Sequence, residues 1–264
     1  MTLILGVKCE SAVIMAADGA VTETTDVGEP QSRQAIEKLE ILDKKMIFGM
    51  SGDLGMAQRL AYQFGELAKT GAHRKQTPIE AATFVRETVE RVVTPDLRAA
   101  TAAAQAMQNS GIRELARFSV LVCFESAGDV RLWEIPTSLI PWEVGAKLPT
   151  TAIGSGAAIA RPFLAFLRRV LWPPSGLPSQ SDGELAAFWT LRHAIATNPG
   201  GIAPPMQLLV AQLDKKAKTL RIDVRTEPEM AELERLVVEA EDTLRKYFKL
   251  PPPPQTPPEP PPAG

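Results

Sequence analysis

Thr2 stands directly behind the initiator Met1, so removal of that methionine would make a threonine the first residue of the chain. A threonine hydroxyl is a weak nucleophile at neutral pH, but a free α-amino group has a reference pKa of about 7.7–8.0 and can serve as general base for its own residue. A Met-Thr start is common and specifies little alone. Asp18 closes the apolar run of residues 11–17, and Lys38 interrupts the apolar set Ile36, Leu39 and Ile41. Isolated charges there would be costly, so the two can offset one another, as an ordinary salt bridge, as solvated strand-end charges or within a site. Gly52 precedes Asp53 and a helical pattern. Its N–H could meet a developing oxyanion with helix N-terminal polarity, or Gly52 could be a plain turn glycine. Ser155, within Gly154-Ser155-Gly156 ahead of another helical pattern, reads as an N-cap.

The elements that must hold these residues come in blocks. Residues 2–8 and 11–17 are β-rich apolar runs that predict an antiparallel hairpin, and residues 22–32 read as a polar loop containing Gly28-Glu29-Pro30. Strands are expected at 36–42 and 45–50, split by Asp43-Lys44. Helical spacing follows over 53–69, then from Pro78 toward Pro95, with an Ala-rich helical piece at 97–107 ending in the loop signal Gln108-Asn109-Ser110-Gly111. Strands return at 118–124, 130–135 and, as a short edge, 148–153. Helices are expected at 157–172 and 183–196, a hairpin at 206–213 and 219–224 across Asp214-Lys215-Lys216, and a last amphipathic helix at 230–248. Strand blocks separated by helix pairs predict α+β, a four-layer αββα sandwich of two antiparallel sheets flanked by helix pairs. Residues 1–249 form one domain on this reading, and the proline-rich 250–264 form a disordered polyproline-II tail.

Composition narrows the chemistry. With 264 residues, 45% of them hydrophobic, and a formal net charge of −2, the chain can bury a sizeable core and carries no electrostatic footprint for nucleic acid. Cys9 and Cys123 are too few for a disulfide framework or a four-ligand zinc site and read as small buried hydrophobes, while His73 and His193 lack ligand spacing. No metal and no cofactor are expected. No stretch approaches a membrane span, and the start lacks the pattern of a signal peptide, so a cytoplasmic protein with no membrane partner is expected.

Thr2, the run Ala16-Ala17-Asp18-Gly19-Ala20-Val21-Thr22, Lys38, Gly49-Met50-Ser51-Gly52 and Ile153-Gly154-Ser155-Gly156 follow the order and approximate spacing of proteasome β subunits. The chain resembles that family over nearly its whole length. TAIGSG before a helix, and Ala196-Thr197-Asn198 after the next one, are most similar to the bacterial HslV branch and the related betaproteobacterial proteasome homologue. The resemblance implies an N-terminal-nucleophile hydrolase fold and a threonine peptidase with Thr2 as nucleophile. It places Lys38 beside the Thr2 hydroxyl, held charged by Asp18, with Gly52 at the oxyanion and Ser155 on the terminal amine. It also puts Val21, Ile36, Glu40, Met50 and Leu54 around the primary side-chain pocket, Met50 suggesting apolar substrate residues, and Thr22 where an extended peptide is held as an added strand. Residues 196–201 offer no aspartate and serine where eukaryotic and archaeal members carry them. In the HslV branch carbonyls near this turn can hold a monovalent cation, which is not expected here.

The implied function is a self-compartmentalising threonine endopeptidase that cuts unfolded proteins or peptides through an acyl-enzyme, in a homo-oligomer of two stacked rings of six or seven. Residues 97–111 would sit at the inner pore. No phosphate-loop motif is present, so unfolding would fall to a separate ATPase. The alternatives are an inactive proteasome-like ring or scaffold protein, and a small-molecule amidase using the same N-terminal chemistry.

Overall fold

The computed structural model of the chain describes residues 2–24, 30–75, 77–107, 118–173, 176–198, 201–214, 216 and 219–248. The tail at 250–264, the loop signal at 108–111, and parts of the turns at 28–30, 199–201 and 214–216 lie outside them. Twelve strands and five helices are defined among the described residues: β1 Ile4–Lys8, β2 Ala12–Asp18, β3 Ala20–Thr24, β4 Pro30–Ala35, β5 Leu39–Leu42, β6 Met46–Ser51, α1 Leu54–Thr70, α2 Pro78–Met107, β7 Ser119–Ser126, β8 Asp129–Pro136, β9 Trp142–Val144, β10 Thr150–Ile153, α3 Ala157–Leu171, α4 Gln180–Thr197, β11 Met206–Asp214, β12 Thr219–Val224 and α5 Glu227–Phe248.

Two five-stranded sheets, ordered β10-β1-β2-β11-β12 and β5-β6-β7-β8-β9, stack face to face. Strand alternation sorts the side chains into layers. In β2, Ala12, Ile14 and Ala16 face a core shared with α3, α4 and α5, while Val13, Met15 and Ala17 face the other sheet. In β6, Met46, Phe48 and Met50 face α1 and α2, and Ile47 faces the first sheet. Covered on both faces, β2 is buried along all its length, and each fully buried large aliphatic side chain contributes about 2 kcal/mol. The predicted four-layer α+β sandwich is therefore the observed fold, with a third helix, α5, added beside α3 and α4.

Four local expectations change. Residues 22–32 are not a plain loop, because β3 and β4 pair antiparallel, Ala20 opposite Ala35 and Thr22 opposite Arg33. Their polar sequences, AVTET and PQSRQA, lack the apolar alternation that marks a strand packed on a core. The strand expected from Ile36 begins only at Leu39, because the side-chain carbonyl of Gln207 takes the N–H groups of Lys38 and Leu39, at 2.7 and 3.1 Å. The second helix does not stop at Pro95 but runs through it to Met107. Pro95 is exposed, so the carbonyl that loses its donor can be hydrated. Trp142–Val144 adds an unexpected short edge strand, β9. No described helix is long and apolar enough to cross a membrane.

Cys9 and Cys123 are free and buried, and burial pushes both thiols up to about 12. His73, 2% exposed and edge-on to Phe124, has no partner for Nδ1 among the described residues. Burial first, then the charges of Arg74 and Lys45, lower its pKa to about 4. The unfolded chain binds this proton at higher pH than the folded one, so stability falls as pH drops from about 6.5 toward 4. His73→Leu is expected to flatten that dependence by about 1 kcal/mol per pH unit in urea midpoints taken between pH 7 and pH 5. Equal slopes would contradict it.

Candidate active site

Sheet register brings the sequence-marked residues to one end of the first sheet. Ile4 lies opposite Ile153 of β10 on one side and Ala17 of β2 on the other. Thr2 and Leu3, just ahead of Ile4, therefore enter between the Gly154-Ser155-Gly156 turn and Asp18. The turn grips Thr2 directly. The Thr2 nitrogen donates to Ser155 Oγ at 3.2 Å, and the Gly156 N–H donates to the Thr2 carbonyl at 3.1 Å. Gly154 has φ +93°, and a Cβ there would lie 2.1 Å from the Thr2 carbonyl oxygen, so only glycine fits.

On the other side Asp18 is 0% exposed. Its Oδ1 accepts from Lys38 Nζ and from the Leu3 N–H, both at 2.7 Å. Its Oδ2 accepts from the N–H groups of Ala20 at 3.2 Å and Ala203 at 3.5 Å. Charge-assisted bonds of this kind repay part of the desolvation that a buried carboxylate incurs. Because the Lys38 ammonium and the Leu3 N–H share one oxygen, the ammonium sits beside the peptide that follows Thr2. Gln207 fixes the backbone from which Lys38 reaches inward.

Gly52 leaves β6 at φ +143°, one residue before Asp53, whose carboxylate caps α1 by accepting from Met56 N at 2.8 Å. The Gly52 N–H donates to no described residue. Three residues earlier, the face of Gly49 packs against Ile4, which brings the end of β6 over the start of β1.

The remaining sequence-marked residues spread around this centre. Val21 and Thr22 lie in β3, opposite Gln34 and Arg33, and among the described residues β3 pairs with β4 alone. The half-buried Ile36 donates its N–H to the Gly19 carbonyl at 2.8 Å. Met50, 8% exposed, belongs to the core under α1 and α2, whereas Leu54 opens α1 and is 58% exposed. Glu40 is exposed on β5 opposite Phe48, its pKa raised by partial desolvation and by Glu37. Thr197 turns its hydroxyl onto the His193 carbonyl of its own helix, at 2.8 Å, rather than toward Thr2. Among the described residues no group of three His, Cys, Asp or Glu side chains could hold a metal.

Sequence reasoning missed Gln207, and it missed the grip of Gly154 and Gly156 on the Thr2 carbonyl. Gln207 did carry a signal, since it shares with Leu209 and Ala211 the strand face that packs against the second sheet.

Comparison with known proteins gives a consistent picture. The family model described as Proteasome subunit matches residues 2–168. No curated protein matches the chain. Similar solved structures include Anbu (ancestral β-subunit) from Yersinia bercovieri, 17% identical, covering 95% of this chain and 99% of that one with a TM-score of 0.65. The Anbu (Gly-1) mutant from Hyphomicrobium sp. strain MC1 is 14% identical, covers 97% and 100%, and has a TM-score of 0.65. The helical assembly of the Anbu complex from Pseudomonas aeruginosa is 16% identical, with 96% and 98% covered and a TM-score of 0.64. At such identities these structures speak for the fold alone.

Breaking a buried pair is worse than replacing both members. Asp18→Asn is expected to cost about 3 kcal/mol or more of stability, because Lys38 keeps its charge and loses that carboxylate. Adding Lys38→Met should recover part of the loss in denaturant titrations, and a double variant no more stable than Asp18→Asn would contradict the pairing.

Proposed function

Because the chain belongs to the proteasome subunit family, we propose that it is a threonine endopeptidase, hydrolysing peptide bonds of unfolded proteins or peptides through Thr2 once Met1 is removed. One observation carries the reading: the wholly buried Asp18 carboxylate binds both Lys38 Nζ and the Leu3 N–H, next to a threonine whose nitrogen rests on Ser155 Oγ.

The chemistry runs in two halves. The freed Thr2 amine takes the proton of Oγ1 as that oxygen bonds to the substrate carbonyl carbon. The Lys38 ammonium stabilises negative charge developing on Oγ1 and disfavours a second positive charge on the amine. The oxyanion of the tetrahedral intermediate meets the Gly52 N–H, reinforced by the start of α1. Collapse breaks the carbon–nitrogen bond, the leaving amine receives the proton, and an ester on Thr2 remains. Water then attacks that ester by the same route and restores the hydroxyl.

Substrate would lie as an extended strand along the edge of β3 that faces away from β4. Met50 and Leu54 favour an apolar side chain in the primary pocket, with Glu40 at its rim. The reading includes a cytoplasmic, self-compartmentalising homo-oligomer of two stacked rings of six or seven, fed by a separate ATPase. Pseudomonas aeruginosa Anbu is described as a helical assembly, so particle images distinguish a closed double ring from an open helix.

Purified protein should cleave peptides after apolar residues. Thr2→Ala should lower the rate by about a thousandfold or more while leaving the particle assembled, and Lys38→Met should lower the rate per folded molecule by a similar factor. Wild-type protein without turnover, or undiminished turnover in Thr2→Ala, would contradict the proposal. Acceptance of charged residues alone would overturn the apolar pocket.

A further inference from the structure

A second buried carboxylate lies close to the Thr2 turn, and neither the family match nor the proposed reaction uses it. Glu134 projects from β8 of the second sheet into the layer between the sheets and is 4% exposed. Its Oε2 accepts from the Thr151 hydroxyl on β10 of the first sheet. Its Oε1 accepts from the Arg161 guanidinium of α3 at 3.3 Å, and Arg161 Nε donates to the Ala152 carbonyl at 3.0 Å. Three layers therefore clamp the consecutive residues 151 and 152. Thr151 and Ala152 pair with Gly6 and Leu5 of β1, Ile153 pairs with Ile4, and the chain then turns through Gly154 and Ser155, which hold Thr2.

A carboxylate on the face of β8 that also carries Val130 and Leu132 of the inter-sheet core is costly to desolvate, even with the partly exposed Arg161 beside it. Apolar side chains could join the two sheets at lower cost, so stability alone does not account for it. What the polar clamp supplies is direction. The ladder with β1 sets the register of β10, and a hydroxyl, a carboxylate and a guanidinium add directional contacts from the other sheet and from α3 that apolar packing would not supply.

We infer that Glu134, Arg161 and Thr151 are positioning residues for the reaction. They hold β10 from the other sheet and from α3 so that Ser155 Oγ meets the Thr2 amine and the amine meets its own hydroxyl. None of them touches substrate; they act through residues 153–155. The inference rests on the proposed peptidase reading. A displacement of Ser155 by a fraction of an ångström would change both the orientation of the amine and its proton affinity.

The test uses full-length protein and the variants Thr151→Val, Arg161→Met and Arg161→Lys, with wild type alongside. Active sites are counted by covalent labelling, so that kcat is expressed per competent site. Thr151→Val and Arg161→Met should lower kcat per site by about tenfold, leave KM within about twofold, and shift the acid limb of the rate profile. Arg161→Lys, which can still donate, should recover part of the rate. Deuterium exchange should quicken at residues 153–156 in the two disabling variants and not in the distant β7–β8 turn. Loss of labelled sites with unchanged kcat per site, an unmoved acid limb and unchanged exchange at 153–156 would overturn the inference, leaving the clamp a stabilising contact. A wild type without turnover sinks the peptidase reading instead, and the exchange data alone then decide whether the clamp holds the turn.

Discussion

The Asp18 carboxylate is the point on which the rest of the structure turns. It gathers an N–H from Leu3, an N–H from Ala20, an ammonium from Lys38 and an N–H from Ala203. Those donors come from the entry to β1, the start of β3, the segment before β5 and the approach to β11. A buried carboxylate is unfavourable unless such donors converge on it, so the chain segments that bring them are constrained to meet. The same constraint sets Lys38 beside the Thr2–Leu3 peptide.

The sandwich makes that convergence possible. β1 and β2 run through the middle of the first sheet, covered by the second sheet on one face and by helices on the other. Their ends are therefore fixed in register, and the charged residue at the end of β2 cannot retreat to solvent. β10 on the far side of β1 delivers the glycine-flanked Ser155, and its own position is braced from β8 and α3. On the proposed reading, rigid strands hold the reacting groups and the edge of β3 that faces away from β4 receives the peptide.

Much of this was legible in the residues. Two-faced burial writes itself as continuous apolar runs, which is why 11–17 and 118–124 read as strands. Asp18 and Lys38 stood out because charges interrupting such runs need a reason, and Gly154-Ser155-Gly156 because a serine between two glycines marks a tight turn. What stayed hidden had weak or misleading local signals. β3 and β4 read AVTET and PQSRQA, with no sustained apolar alternation to announce them. Pro95 signalled a helix end that its exposed position did not enforce. Gln207 acts on the backbone of Lys38, 169 positions away in sequence; its place on an inward strand face marked it as unusual, but nothing local named its partner. Residues 196–201 lack the aspartate and serine that eukaryotic and archaeal members carry there, and the Thr197 hydroxyl is bonded within α4.

The central claim is that Thr2 becomes an N-terminal nucleophile whose amine and hydroxyl act together. Intact-mass spectrometry of the purified protein before and after treatment with a peptide epoxyketone, which bonds to both groups at once, tests it most directly. The account predicts a chain lacking Met1 that gains one inhibitor mass, with the adduct mapped to Thr2. A chain that keeps Met1 and takes up no inhibitor would contradict it.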